Sequence, residues 1–198
     1  MRQAVAFVAP VLAASVLLVT TTACSAPHGT YPGVRRGAGQ VFELSSPAFA
    51  EGGSIPVRHA MRAVQGGENV SIGYEWAGAP AGTRSFALAL VDRSPVAHDW
   101  VHWLVVDLPA SATGLPEGAS GTSAMPSGSR ELASAYGSTG YGGPQPPSGT
   151  GQHPYEATLY ALDTTALPLP TDTTLAQFER AVARHTLATA RLTGRFGR

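Results

Sequence analysis

From Val41 onward the apolar residues fall into short runs with a period near two, interrupted by Gly, Pro, Asn and Asp. That is the pattern of β-strands joined by turns. "VFELSS" at 41–46 and "ENVSIGYEW" at 68–76 predict two strands, and "RSFALALVD" at 84–92 a third after the turn "GAPAGT". "DWVHWLVVDLP" at 99–109 carries Val, Trp and Leu on both alternating faces, so it predicts a central strand covered on both sides. In it, Trp100 and Leu104 are expected on the face of His102. "YEATLYALD" at 155–163 predicts a fifth strand, with Trp76 in the core of the second.

A helix is predicted to close the chain, capped by Asp172 or Thr173, with Leu175, Phe178, Val182 and Leu192 near one face and His185 beside it. Residues 109–136 are rich in Gly, Ser, Pro and Ala and predict a long surface loop. The fold class is therefore mainly β, an antiparallel sandwich with a C-terminal helix.

The first forty residues follow different rules. "MRQAVAFVAPVLAASVLLVTTTAC" has one early cation, Arg2, and an apolar run that ends in small residues, as an export signal does. The run is short for a transmembrane span. Cys24, the single cysteine, stands in "TTAC" before "SAP", so no intrachain disulfide can form. The segment resembles a bacterial lipoprotein processing site, with Thr21 where Leu is usual. Residues 1–23 are read as the signal peptide, 24–40 as a lipidated cysteine and a Gly/Pro-rich tether, and 41–198 as one domain. The expected address is the outer face of the cell membrane, through an N-terminal lipid; simple secretion is the alternative.

Composition narrows the function. The 13 basic residues balance 13 acidic ones, which argues against a nucleic-acid partner. No G-x-S-x-G, P-loop or strand-to-helix G-x-G-x-x-G occurs. His98 and His102 have the spacing of helical zinc ligands. In a strand, however, four residues span about 13 Å, too far for two imidazoles to share a metal. No metal, cofactor or catalytic residue is assigned.

What remains is a pocket. His153 and Tyr155 share a strand face directly after "GSTGYGGPQPPSGTGQ" at 137–152, and His102 enters its own strand from a turn. Taken alone, each histidine reads as a packed core residue. Together they suggest a polar hollow walled by the loop, whose glycine N–H groups can approach an anion closely while its prolines fix the path. His59 and His98 read as loop residues.

These segments also carry a resemblance. "FELSSPAFAEGGSIPVRHA", "GENVSIGYEWAGAPAGTRSFALALVD", "WVHWLVVDLPA", "YGSTGYGGPQPPSGTGQHPYEATLYALD" and "HTLATARLTGRFGR" occur in one order. Together they resemble the phosphatidylethanolamine-binding protein family, in its bacterial Raf kinase inhibitor-like branch. The resemblance implies a β-sandwich with one small pocket for phosphate or phospholipid head groups. Carried over, Asp92 is similar to the pocket carboxylate, and His102 with Trp100 to the second conserved block. Pro147, His153 and Tyr155 resemble the proline, histidine and tyrosine of the third.

Two departures stand out. "DRSP" at 92–95 replaces the usual Asp-Pro-Asp-x-Pro, and Pro154 stands where Arg usually follows the histidine. The function implied is a lipid-anchored, non-enzymatic binding protein for a small anion or phospholipid head group. Inhibition of a partner kinase or protease through the 109–136 loop is the alternative, and a hydrolase using His102, His153 and Asp92 is a third reading. Histidine charge is expected to strengthen anion binding as pH falls towards about 6.5.

Overall fold

The computed structural model describes residues 41–198; the signal, Cys24 and tether assignments lie outside these residues. Eight strands and one helix follow in the order β1 (Glu43–Ser45), β2 (Tyr74–Ala77), β3 (Ser85–Asp92), β4 (Trp100–Pro109), β5 (Gly114–Leu115), β6 (Arg130–Glu131), β7 (His153–Leu162), α1 (Leu175–Ala183) and β8 (Thr186–Phe196). They make a three-stranded sheet, β1-β2-β5, and a five-stranded sheet, β6-β4-β3-β7-β8. All of these strand pairs are antiparallel. Among the described residues no helix is long and apolar enough to cross a membrane.

The uninterrupted apolar run of β3 follows from its position. All eight of its residues are buried because both faces of the larger sheet are covered. One face sends Phe86, Leu88, Leu90, Trp103 and Val105 against Leu44, Tyr74 and Trp76 of the smaller sheet. The other sends Ala87, Ala89, Val91, Leu104 and Val106 against Phe178 and Val182 of α1. A strand with two dry faces gains from being apolar at every position.

The closing segment differs from its expected form. Thr174, not Asp172 or Thr173, caps α1, in a reciprocal capping box with Gln177. The helix ends at Ala183, and the chain returns as β8, paired with β7 along its length. Leu192 belongs to that strand, where Ala190, Leu192, Gly194 and Phe196 alternate inward. His185 lies after the helix, its Nδ1 2.8 Å from Asp163 Oδ1.

The 109–136 segment is also not a free loop. It contains β5 and β6, and Leu115, Ala119 and Leu132 are buried. Glu131 holds it down, accepting from Trp103 Nε1 at 2.7 Å, Ser120 Oγ at 2.5 Å and Gly121 N at 2.8 Å. His59, expected in a solvated loop, is fully buried at the end of a 3₁₀ turn over Val57–His59. Its Nδ1 lies 2.8 Å from Val70 O.

Candidate functional site

The site grows from a register fault in β4. Val91 pairs with Val101 and Leu90 with Trp103, so His102 is an extra residue that no β3 residue opposes. Such a bulge re-aims one side chain and shifts the alternation of its neighbours. Leu104 therefore packs under α1, away from His102, which corrects the expectation that the two share a face. Trp100 pairs with Asp92 at the end of β3, and Asp92 pairs on its other side with Tyr155 of β7. Three adjacent strands thus present Trp100, Asp92 and Tyr155 in one row, with His102 and His153 beside it.

These residues line one cavity of about 440 Å³, closed by Tyr136, Gln145, Pro146 and Pro147 and rimmed by Val96, Ala97 and His98. All six residues named for the site from the sequence are brought together. The ring of Tyr155 lies 5.0 Å from His102 and 6.5 Å from His153, centroid to centroid. Tyr136 closes on His102 at 5.8 Å and on Trp100 at 5.5 Å. Sequence reasoning missed Tyr136, Gln145 and Thr150; the available signal was the persistence of polar and aromatic residues within a chain otherwise reduced to Gly and Pro. A larger, open groove runs along β1, β2 and β5. It contains none of the histidines.

The hydrogen bonds fix which groups face the cavity. His102 Nδ1 donates to Gly142 O at 2.5 Å. A carbonyl can only accept, so the neutral ring carries its proton on Nδ1 and offers a lone pair from Nε2. Burial lowers the His102 pKa to about 4, against the raising effects of the Gly142 carbonyl and the Asp92 carboxylate. His102 is therefore neutral near pH 6.5, and the expected strengthening through its charge does not arise there.

Both nitrogens of His153 are occupied within the protein. Nδ1 lies 2.6 Å from Asp92 Oδ2 and Nε2 lies 2.8 Å from Thr150 Oγ1. The Thr150 hydroxyl also lies 2.7 Å from Pro147 O, so it touches both the carbonyl and the imidazole. Asp92 holds the ring from the other side, and its second oxygen accepts from Ser94 N at 2.8 Å. Asp, His and Thr stand in the order of a hydrolase triad. Thr150, however, also contacts the Pro147 carbonyl and is not part of the cavity wall.

The glycine-rich loop serves a purpose other than the expected one. Four of its glycine N–H groups are spent internally: Gly140 on Leu132 O, Gly142 on His102 O, Gly143 on Asn69 Oδ1 and Gly149 on Arg198 O. Glycine is required here for close packing. A Cβ at Gly142 would stand 2.3 Å from the Tyr136 ring, and one at Gly143 would stand 2.0 Å from His59 O.

The Tyr155 hydroxyl is different. It is buried without a close hydrogen bond, and burial first, then the charge of Asp92 and a weaker contact with that carboxylate, raise its pKa. It stays protonated.

Among the described residues, two antiparallel sheets, one helix and a small histidine-lined cavity at the strand ends define a β-sandwich with a built-in pocket. The chain belongs to the phosphatidylethanolamine-binding protein family, whose profile matches residues 45–197. It is 36% identical over 158 residues to YbhB of Escherichia coli, covering 78% of this chain and 99% of that one. It is 37% identical over 161 residues to LppC of Mycobacterium tuberculosis, a protein named as a lipoprotein, covering 80% and 74%. The crystal structure of E. coli YbcL, described as a member of the mammalian family, superposes with a TM-score of 0.74 at 30% identity, over 79% of this chain and 98% of that one.

Proposed function

We propose that this protein is an exported, lipid-anchored binding protein whose pocket captures a small phosphate-bearing ligand, either free or as a lipid head group, without catalysing its reaction. One observation carries the reading. Asp92, His102, His153 and Tyr155 converge on one cavity, and the buried Tyr155 hydroxyl makes no close hydrogen bond there, with only a weaker contact to Asp92. A buried polar group left unsatisfied costs about 1–3 kcal/mol, and a ligand oxygen would remove that cost. At about 440 Å³ the cavity has room for a phosphate and a short substituent, while acyl chains would stay outside. The lipid anchor is supported by "TTAC" at Cys24 and by the likeness to LppC.

Calorimetric titration of the protein with methyl phosphate and with glycerophosphoethanolamine tests the pocket. Tyr155→Phe and His102→Ala should each weaken binding about tenfold or more, the value of a hydrogen bond to a charged group. Unchanged affinity in both variants refutes the assignment. The intact mass of the membrane-extracted protein reports acylation at Cys24. Equal turnover of generic esters by wild type and His153→Ala would dismiss catalysis by this site.

A further inference from the structure

The hairpin between β3 and β4 leaves apolar side chains in water at the cavity mouth. Among the described residues five large apolar side chains are exposed. Two of them, Val96 at 56% and Trp100 at 41%, stand on this one hairpin and line the cavity. Pro95, beside Val96, and Pro147, on the facing wall, are exposed as well. Apolar residues exposed singly are ordinary on a protein surface, whereas a cluster at an opening marks a contact.

The hairpin is held in this shape. His98 and Asp99 are consecutive non-glycine residues with φ of 50° and 59°, a region that side chains disfavour. Ser94 N donates to Asp92 Oδ1 at 2.8 Å, Ala97 N donates to Ser94 O at 2.9 Å, and Arg93 clamps Asp99 at 2.9 Å. Tyr136 braces the Trp100 ring edge to face at 5.5 Å. Val96 and Trp100 are therefore presented to solvent in fixed positions, so little freedom is lost when something covers them.

The chemistry of this rim fits the boundary layer of a bilayer. An indole is amphipathic and collects at that depth. Asp99 is neutralised by Arg93, and Arg198, bonded to Pro146 O, brings a cation beside the prolines, as anionic lipid phosphates favour. Chain length allows the contact. Sixteen residues, 25–40, separate Cys24 from Val41. Extended, they span about 55 Å, against about 40 Å across a domain of this length. A lipid on Cys24 would keep the rim within reach of the bilayer at a high effective concentration.

We propose that the β3–β4 hairpin is a second membrane contact, with Val96 and Trp100 entering the interfacial layer of a lipid bilayer and holding the cavity mouth against the head groups. The proposal rests on the membrane address put forward above and not on which ligand the cavity takes.

Trp100 is its own reporter. Trp76 and Trp103 are buried, at 6% and 0% exposure, and residues 1–40 contain no tryptophan. The membrane-extracted protein is reconstituted into phosphatidylcholine vesicles brominated on the acyl carbons near the glycerol. Its tryptophan emission should fall and shift to the blue. The quenching should persist in 1 M salt, where charges are screened beyond about 3 Å. Trp100→Phe should abolish it. Val96→Asp, read on protein with the wild-type urea midpoint, should lower the ratio of docked to undocked protein about tenfold or more, because it exchanges a favourable burial for a costly one.

Unquenched emission from protein that co-sediments with the vesicles overturns the hairpin contact and leaves the anchor standing. Quenching that survives Val96→Asp or Trp100→Phe, or that disappears in salt, overturns it too. Shielding of Trp100 from acrylamide without quenching by bromine would put a protein, such as a second copy, on the rim and overturn the lipid assignment. Protein that does not sediment with vesicles removes the membrane address and the contact together.

Discussion

A buried histidine forced to remain neutral ties the pocket to acid stability. The His102 pKa falls from 6.5 to about 4 on folding because burial disfavours the imidazolium. The unfolded chain therefore binds more protons in that interval, and stability falls as pH drops from about 6.5 to about 4, by about 3 kcal/mol from this residue. His59 acts in the same direction, its pKa also lowered by burial first. Above pH 6.5 both contributions are fully present. His102→Gln should keep the Gly142 contact through an amide donor and remove the titration. Urea midpoints for the variant should fall less steeply than wild type between pH 6.5 and 4.5, and parallel curves would refute the protonation account.

At the scale of elements, the sequence made the strands legible wherever burial followed a period of two or ran unbroken. It left the two places where periodicity changes within a segment unreadable. His102 shares its apolar surroundings with a regular strand, and only the pairing of Val91 with Val101 and Leu90 with Trp103 reveals the bulge. After Ala183 the same small and β-branched residues fit a helical stripe or a strand. Pairing with β7 decides for the strand, because an unpaired β7 would leave its backbone groups without partners. His59 was unreadable for a different reason, since its burial depends on the distant Val70 carbonyl.

The short helix that remains depends on two buried side chains, Phe178 and Val182, and Phe178 meets Tyr160 edge to face at 5.8 Å. Phe178→Ala should cost about 3–5 kcal/mol, seen as a lowered urea midpoint. Phosphate binding of the protein that stays folded should be unchanged, because the helix covers the opposite face of the sheet. A loss of affinity in the folded fraction would show that the two faces are coupled.

Across the whole domain, the sandwich holds the strands while loops from distant parts of the sequence complete the pocket. The convergence of Asp92, His102, His153 and Tyr155 was legible because strand order carries it. The roles of the glycine loop were not, since the N–H groups of Gly142, Gly143 and Gly149 find partners remote in sequence, as Gly143 finds Asn69. The rim is fastened at one further point. Arg198 Nε donates to Pro146 O, Gly149 N donates to Arg198 O at 3.1 Å, and Arg198 acts electrostatically on Tyr136. The end of β8 therefore stitches the loop to the sheet edge and brings a cation to the rim in a chain that has Pro154 after His153. Arg198→Ala removes one exposed side chain and no core contact, so the urea midpoint should shift by no more than about 0.5 kcal/mol equivalent. The Gly149 amide should nevertheless exchange faster with solvent deuterium, and methyl phosphate should bind severalfold more weakly as the Pro146–Pro147 wall loosens. If Gly149 protection is unchanged while binding weakens, Arg198 acts on the ligand through charge alone; if neither changes, the stitch has no part in shaping the pocket.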